Sequence, residues 1–120
     1  MQQDVGVLGT IYSIESKTKE EDNILNENGI AGYCDEVDKR IVLLDLSVDE
    51  DYKDESDEYR RLLTNSILRH EIVHAFLNES GLSYNSLSCN ESWAKNEEMV
   101  DWIALQFPKL LKAFKETNCI

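Results

Sequence analysis

Two histidines, one helical turn apart, are the residues of this sequence with the clearest chemical potential. They stand in the segment His70-Glu71-Ile72-Val73-His74, and the whole chain has two histidines. At a spacing of four residues on a helix, both imidazoles lie on one face and can bind one metal ion. Glu71 lies about 100° around the helix, where it can take a proton from water without binding the ion. The pattern predicts a catalytic zinc site with Glu71 as general base.

A third metal ligand must come from outside this segment, because a catalytic zinc ion takes three protein ligands and keeps one position open. With no third histidine, the ligand must be acidic or, as a weaker alternative, Cys89. Glu97 shares a helix face with apolar residues that follow at three- and four-residue steps, so we choose it over Glu98. Asp101, one turn later, can accept a hydrogen bond from a ligating histidine. The two glutamates have a second interpretation, as acids that favour a helix N-terminus.

The motif and its spacing resemble the gluzincin family of zinc metallopeptidases, in which HExxH is followed by NExxxD. The second part of that pattern stands here as Asn96-Glu97-Glu98-Met99-Val100-Asp101. The short spacing and residues 97–104 are most similar to the small ImmA/IrrE-type metallopeptidases, many of which come from phages and mobile elements. The resemblance covers residues 63–110. It implies that the zinc ligands are His70, His74 and Glu97. It also implies that Glu71 is the general base and that Asp101 is the acid that supports His70.

The implied reaction is hydrolysis of a peptide bond by water that zinc activates. Glu71 would take the proton of the water and pass it to the leaving amine. Three tyrosines are candidates for stabilising the oxyanion; we prefer Tyr84, and the others are Tyr59 and Tyr33. An extended protein or peptide substrate could add a strand to the sheet edge at residues 40–46.

The elements that position these residues form a β-rich first half and a helical second half. Residues 7–14 are predicted to be a strand, with Gly9 at a bulge or a late start. Residues 31–35 and 40–46 are predicted to form a hairpin with a four-residue loop. Residues 41–44 are continuously apolar, which is typical of a strand covered on both faces.

Helical periodicity follows over residues 54–79 and again over residues 94–107. Pro108 is expected to end or kink the second helix, and Trp93 and Trp102 are interpreted as core or lid packing. The fold class is therefore α+β. We expect one domain over residues 1–120, in which an antiparallel sheet of about three strands packs against the motif helix and the helix with the acidic ligand.

Composition limits the classes of partner. The chain has 120 residues with 24 acidic and 12 basic side chains, so its formal net charge is −12. This charge argues against direct binding to nucleic acid or anionic membranes and favours a basic substrate. No apolar run approaches the roughly 18 residues that span a bilayer, and the first residues do not resemble a secretory signal. Cys34, Cys89 and Cys119 are far apart and are expected to be reduced thiols. We therefore expect a cytoplasmic protein.

Two non-enzymatic alternatives remain at this point. The first is a zinc-stabilised binding or adaptor protein without hydrolytic activity, which is credible because a chain of this size has little surface left for substrate specificity. The second is an acidic decoy for a nucleic-acid-binding protein, an interpretation that depends on the net charge alone.

Overall fold

Four strands and three α-helices occur in the computed structural model, which describes residues 2–83 and 92–120 of the chain. The α+β class predicted from the sequence is confirmed. The elements in chain order are β1 (Gln2–Val7), β2 (Thr10–Lys17), α1 (Asn23–Asn28), β3 (Gly32–Asp35), β4 (Arg40–Leu44), α2 (Asp57–Glu79), a 3₁₀ turn (Trp93–Lys95) and α3 (Glu97–Glu116).

A tight hairpin joins β1 to β2, so the strand predicted over residues 7–14 starts late, at Thr10, as Gly9 allowed, and Val7 ends a separate strand. Leu8 and Gly9 both have positive φ, 49° and 88°. Two central residues with positive φ form the two-residue turn whose twist matches that of paired strands. Val7 therefore pairs with Thr10 across the turn, and β1 becomes an edge strand of the sheet.

The sheet has the order β1-β2-β4-β3, with β2 and β4 parallel and the other pairs antiparallel. The parallel pair differs from the expected antiparallel sheet because the chain passes through α1 and β3 before it returns beside β2. The hairpin of β3 and β4, with residues 36–39 as its loop, was predicted correctly. However, β4 lies inside the sheet, so the expected edge at residues 40–46 was wrong. The edge on that side is β3.

The apolar run of β4 is covered on both faces, as its sequence predicted. Ile41 belongs to a core cluster with Ala75 of α2, whereas Val42 belongs to a cluster with Leu25 of α1. All of Ile41, Val42 and Leu25 are fully buried. A strand that is buried on both faces fits the interior of a sheet and not its edge, and this is why β3 is left to form the edge.

Gly32 allows β3 to approach α2 closely. A Cβ atom at this position would lie 2.8 Å from Cγ2 of Ile67 and 3.2 Å from the carbonyl oxygen of Val42. A real Cβ atom would clash at the first of these distances. The absence of a side chain at Gly32 thus brings the edge strand against the helix that carries both histidines.

The far end of α2 is attached to the sheet through Glu79. Its carboxylate accepts hydrogen bonds from Thr10 Oγ1 (2.9 Å), the Tyr12 hydroxyl (2.7 Å) and Lys39 Nζ (2.7 Å). These donors, with the bond to Lys39 as the largest contribution, lower the pKa of Glu79 to about 2. The motif helix is therefore held in a defined direction across the sheet.

The third helix, α3, continues through Pro108 to Glu116, where the sequence predicted a kink or an end. Proline has no N–H, so the carbonyl oxygen of Ala104, four residues earlier, loses its helical donor. Arg69 of α2 replaces that donor, because its Nε atom lies 2.7 Å from the Ala104 oxygen. This bond joins α3 to the motif helix. At its other end α3 begins at Glu97, later than predicted, because the Asn96 side chain caps the helix.

Replacing Arg69 with methionine is expected to lower the free energy of unfolding by about 1–3 kcal/mol, because the Ala104 carbonyl then has no donor. Arg61→Met is the matched control on the same helix, because Arg61 and its ion-pair partner Glu58 are both exposed to solvent. Urea unfolding of the two variants gives the comparison. Equal losses of unfolding free energy in the two variants would show that the hydrogen bond from Arg69 to Ala104 stabilises the fold no more than the exposed Arg61 ion pair does.

No helix in the described part of the chain combines the length and the apolar character needed to cross a bilayer.

Candidate metal centre

The two histidines of α2 and the first turn of α3 meet at one point. The Nε2 atoms of His70 and His74 lie 3.1 Å apart. Glu97 faces both of them, with Oε1 at 2.8 Å from His74 Nε2 and Oε2 at 3.3 Å from His70 Nε2. Three potential metal ligands that are up to 27 positions apart in sequence thus converge.

The two imidazole nitrogens and the Glu97 carboxylate lie close enough together to share one small metal ion, and Glu97 approaches the two histidines with different oxygens. Ligand atoms at 2.0–2.1 Å from a tetrahedral zinc ion lie about 3.3–3.4 Å from one another. The observed separations of 2.8, 3.1 and 3.3 Å are within about half an ångström of that value. Two imidazole nitrogens with one carboxylate are also a donor set that catalytic zinc sites use. The two histidines and an acidic side chain could therefore hold a metal ion, and Glu71 also has a ligand atom within 4.8 Å of those of His70 and His74.

The protonation of both histidines suits metal binding. His70 Nδ1 lies 2.6 Å from Asp101 Oδ1, and since a carboxylate accepts hydrogen bonds, this nitrogen carries the proton. The lone pair of His70 is then on Nε2, towards His74 and Glu97. For His74, burial lowers the pKa, which favours the neutral imidazole that metals bind.

The packing of α3 explains why Glu97 and Asp101 face the histidines while Glu98 does not. Val100 and Ala104, on the same side of α3, are buried, and Val100 packs in a cluster with Leu77 of α2. Residues 97 and 101 lie on this side at three- and four-residue steps. Glu98 lines a different concavity on the outer side of α3, together with Trp93 and Trp102.

Those two tryptophans are exposed, so their interpretation as core residues was wrong. Trp93 is 59% exposed and Trp102 is 57% exposed. Val100 and Ala104, the buried residues of α3, lie about 160° from Trp102 around the helix.

Glu71 lies beside the converging ligands but is buried, with 6% of the residue exposed. Burial is the main cause that raises the pKa of Glu71 to about 7. The carboxylates of Glu97 and Asp101 raise it further, and His70 opposes them. An acid with a pKa near neutral is suited both to accept a proton and to return it.

The raised pKa predicts that ionisation of Glu71 costs folding free energy in the metal-free chain. An unfolded glutamate ionises near 4.5, whereas Glu71 ionises near 7, so the native state binds more protons between these values. Stability should therefore fall as the pH rises through this window. Glu71→Gln has no carboxyl to ionise and so avoids this free-energy cost. With chelator present, its free energy of unfolding should exceed that of the wild type by roughly 3 kcal/mol above pH 7.

Urea unfolding at about pH 5 and about pH 8 would measure this difference. At the lower pH the advantage should shrink to about 1 kcal/mol, because Glu71 is protonated in the native wild type but is already largely ionised in the unfolded chain. A constant difference at both values would contradict the raised pKa.

A cleft runs past these residues on both sides of the motif. On one side a concavity of about 400 Å³ is lined by Tyr33, Cys34, His74 and Asn78, among others. On the other side a concavity of about 280 Å³ is lined mainly by apolar residues, which include Ile30, Ala31, Ile67, Ala104 and Leu105. His70, Glu71 and Glu97 line both.

The edge strand β3 forms one wall of this cleft. Leu44 N–H donates a hydrogen bond to the Ala31 carbonyl. Ala31 and Leu44 are therefore a hydrogen-bonded pair, in which the backbone groups of Ala31 point towards β4. Along an antiparallel pair, inward- and outward-facing residues alternate. The backbone groups of Gly32 and Cys34 therefore point away from β4, towards the cleft.

The tyrosines proposed for oxyanion stabilisation are placed as follows. Tyr84, the preferred candidate, lies outside the described residues, as does Cys89. Tyr33 lines the cleft, but its hydroxyl donates to Asp22 Oδ2 at 2.7 Å. Tyr59 is eleven positions before His70 on α2, about 16 Å along the helix axis. The described part of the chain therefore provides no free tyrosine hydroxyl at the site.

Cys34 lies in the cleft, which sequence reasoning did not foresee. Its thiol is unpaired, as is that of Cys119, in agreement with the expected free thiols. Burial raises the pKa of the Cys34 thiol to about 12, and the negative charge of Glu71 adds to this effect. The residue is 37 positions from Glu71 in sequence, and only the packing of β3 on α2 brings the two together.

Comparison of the chain with family models, with curated proteins and with solved structures finds no match.

Proposed function

We propose that this chain is a small zinc-dependent metallopeptidase of the gluzincin type, closest to the ImmA/IrrE-like enzymes. One observation carries the proposal. His70 Nε2, His74 Nε2 and the Glu97 carboxylate converge within 3.3 Å of one another, beside a buried Glu71, in a cleft along β3, the edge strand of the sheet that the described residues form. Neither the motif alone nor the cleft alone would be sufficient.

Each residue of the centre has a distinct role in this proposal. His70, His74 and Glu97 hold the zinc ion, and Asp101 keeps His70 in the tautomer that binds it. When bound, zinc acidifies water and polarises a carbonyl group. Glu71 takes the proton from the attacking water and delivers it to the leaving amine. Burial of Glu71 supports this role, because it moves the pKa to the pH range in which both transfers are favourable.

The substrate is an extended polypeptide that adds a strand to β3. The backbone groups of Gly32 and Cys34 would pair with the backbone of the substrate, which fixes its position in a way that is independent of side chains. The scissile bond then lies between the two concavities of the cleft. The net charge of −12 favours basic substrates, because it increases their rate of encounter.

We also propose that the protein acts in the cytoplasm. The unpaired thiols of Cys34 and Cys119 support this assignment, because thiols persist in a reducing compartment.

The metal content of the purified protein tests the proposal first. Protein prepared without chelator or metal-affinity resin should contain about one equivalent of zinc, and His70→Ala should contain almost none. A peptide-library screen then measures cleavage, with Glu71→Gln as the inactive control. A folded chain that neither contains nor takes up zinc would refute the peptidase. Zinc without cleavage of any peptide would favour the adaptor alternative.

A further inference from the structure

The outer concavity of α3 presents an unusual amount of exposed apolar surface. It has a volume of about 550 Å³, and Trp93, Trp102 and Leu105 at its walls are each more than half exposed. The chain has two tryptophans, and both are here. Exposed indole rings are frequent anchors in protein recognition, because they bring a large contact area at a small entropic cost.

This outer concavity adjoins the cleft of the metal centre at one residue. Leu105 lines both the outer concavity and the apolar concavity beside His70 and Glu97. A polypeptide that lies along β3 and leaves the cleft on this side therefore passes over Leu105 and reaches Trp102.

The charge around the outer concavity is acidic. Glu98 lies in its wall, Glu97 and Asp101 lie on the inner side of the same half of α3, and Lys95 adds one positive charge between the wall residues Trp93 and Asn96. All basic residues of this helix lie in its second half, at Lys109, Lys112 and Lys115. An ammonium or guanidinium group is attracted both to these carboxylates and to the face of an indole ring. The surface thus fits apolar side chains that alternate with basic ones.

We propose that the outer concavity is a docking surface for the polypeptide substrate, and that it binds a basic and apolar stretch near the cleaved bond. The inference rests on the proposed peptidase function, and it assigns the substrate class. It gives the two exposed tryptophans, Leu105 and Glu98 a shared role in specificity. The surface binds substrate without touching the reacting atoms.

Tryptophan fluorescence tests this proposal directly, because both reporters lie at the surface in question. The Glu71→Gln chain, loaded with zinc, is titrated with a short amidated peptide of alternating leucine and lysine. We expect a saturable blue shift of the emission and a dissociation constant that rises with salt. Two matched peptides, one with glutamate for lysine and one with serine for leucine, should bind at least about tenfold more weakly.

Variants in the same background locate the binding. Trp102→Ala should weaken binding of the basic peptide about tenfold or more, with Trp93 still present as reporter. Phe107→Ala is the matched control, because Phe107 is an exposed aromatic residue of α3 that lines a separate groove, and it should leave the affinity unchanged. Equal binding of the acidic peptide, or no effect of Trp102→Ala, would overturn the docking surface. So would the absence of any spectral shift.

The result is separable from that of the peptidase test. Repeating the titration on metal-free protein requires neither zinc nor turnover. Binding of the basic peptide by a chain that never cleaves would refute the peptidase and retain the surface as a binding site. Cleavage by a chain whose tryptophans do not respond to the peptide would retain the peptidase and refute the surface.

Discussion

Glu71→Gln is expected to lower peptide hydrolysis by about two to four orders of magnitude while the zinc content stays at one equivalent. Glutamine has nearly the same shape as glutamate, but it cannot accept the proton of the attacking water. The carboxyl of Glu71 is buried and has a ligand atom within 4.8 Å of those of His70 and His74, whereas the carboxylate that contacts both imidazoles belongs to Glu97. Loss of turnover without loss of metal is therefore the signature of a general base.

The measurement pairs cleavage of a library-derived peptide with elemental analysis on the same preparation. The stability of the variant is an internal control, because metal-free Glu71→Gln should be more stable than the wild type above pH 7. A variant that is more stable but inactive cannot owe its inactivity to unfolding. Full activity in Glu71→Gln would exclude this residue as the base.

The choice between two neighbouring glutamates has the second large expected effect. Glu97→Gln should weaken zinc binding by more than about a hundredfold, since loss of a direct ligand should exceed the 10–100-fold typical of an outer partner. Glu98→Gln should leave zinc affinity almost unchanged, because Glu98 lines the outer concavity. The two variants lose the same charge at adjacent positions, so long-range electrostatics is matched.

Competition with a chromophoric chelator measures both affinities. Asp101→Asn provides an intermediate case: it weakens the hydrogen bond to His70 Nδ1 but removes no ligand, so a loss of about 10–100-fold is expected. Equal weakening by Glu97→Gln and Glu98→Gln would show that charge, and not coordination, controls zinc binding. Weakening by Glu98→Gln alone would mean that the third ligand was misassigned.

The local chemistry was predictable because it depends on the geometry of one helix. The period of 3.6 residues places His70 and His74 on one face whatever the remainder of the chain does. The same argument on α3 separated Glu97 from Glu98, because buried apolar residues follow Glu97 at helical steps. The hairpin of β3 and β4, with residues 36–39 as its loop, was likewise a local feature, because two apolar runs and a short loop determine it.

Other features required knowledge of what packs against what. The position of β4 inside the sheet depends on α1 and β3 together, since the first covers one face and the second takes the edge. Pro108 could remain inside α3 because Arg69 of α2 donates a hydrogen bond to the Ala104 carbonyl, which proline leaves without its helical N–H donor. The residue pattern of one segment does not indicate which residue of another segment will pack against it or bond to it.

The sequence by itself therefore determined which residues can do chemistry: two imidazoles one turn apart, a glutamate between them and an acidic side chain downstream that faces them. Spacing along a helix is a property of the backbone, and it is the same before and after the helix packs. The tertiary structure alone decided that β3 is an edge strand of the described sheet, that Cys34 lies in the cleft and that Trp93 and Trp102 remain exposed. These outcomes depend on which apolar surfaces bury one another, which is a competition among all elements of the chain.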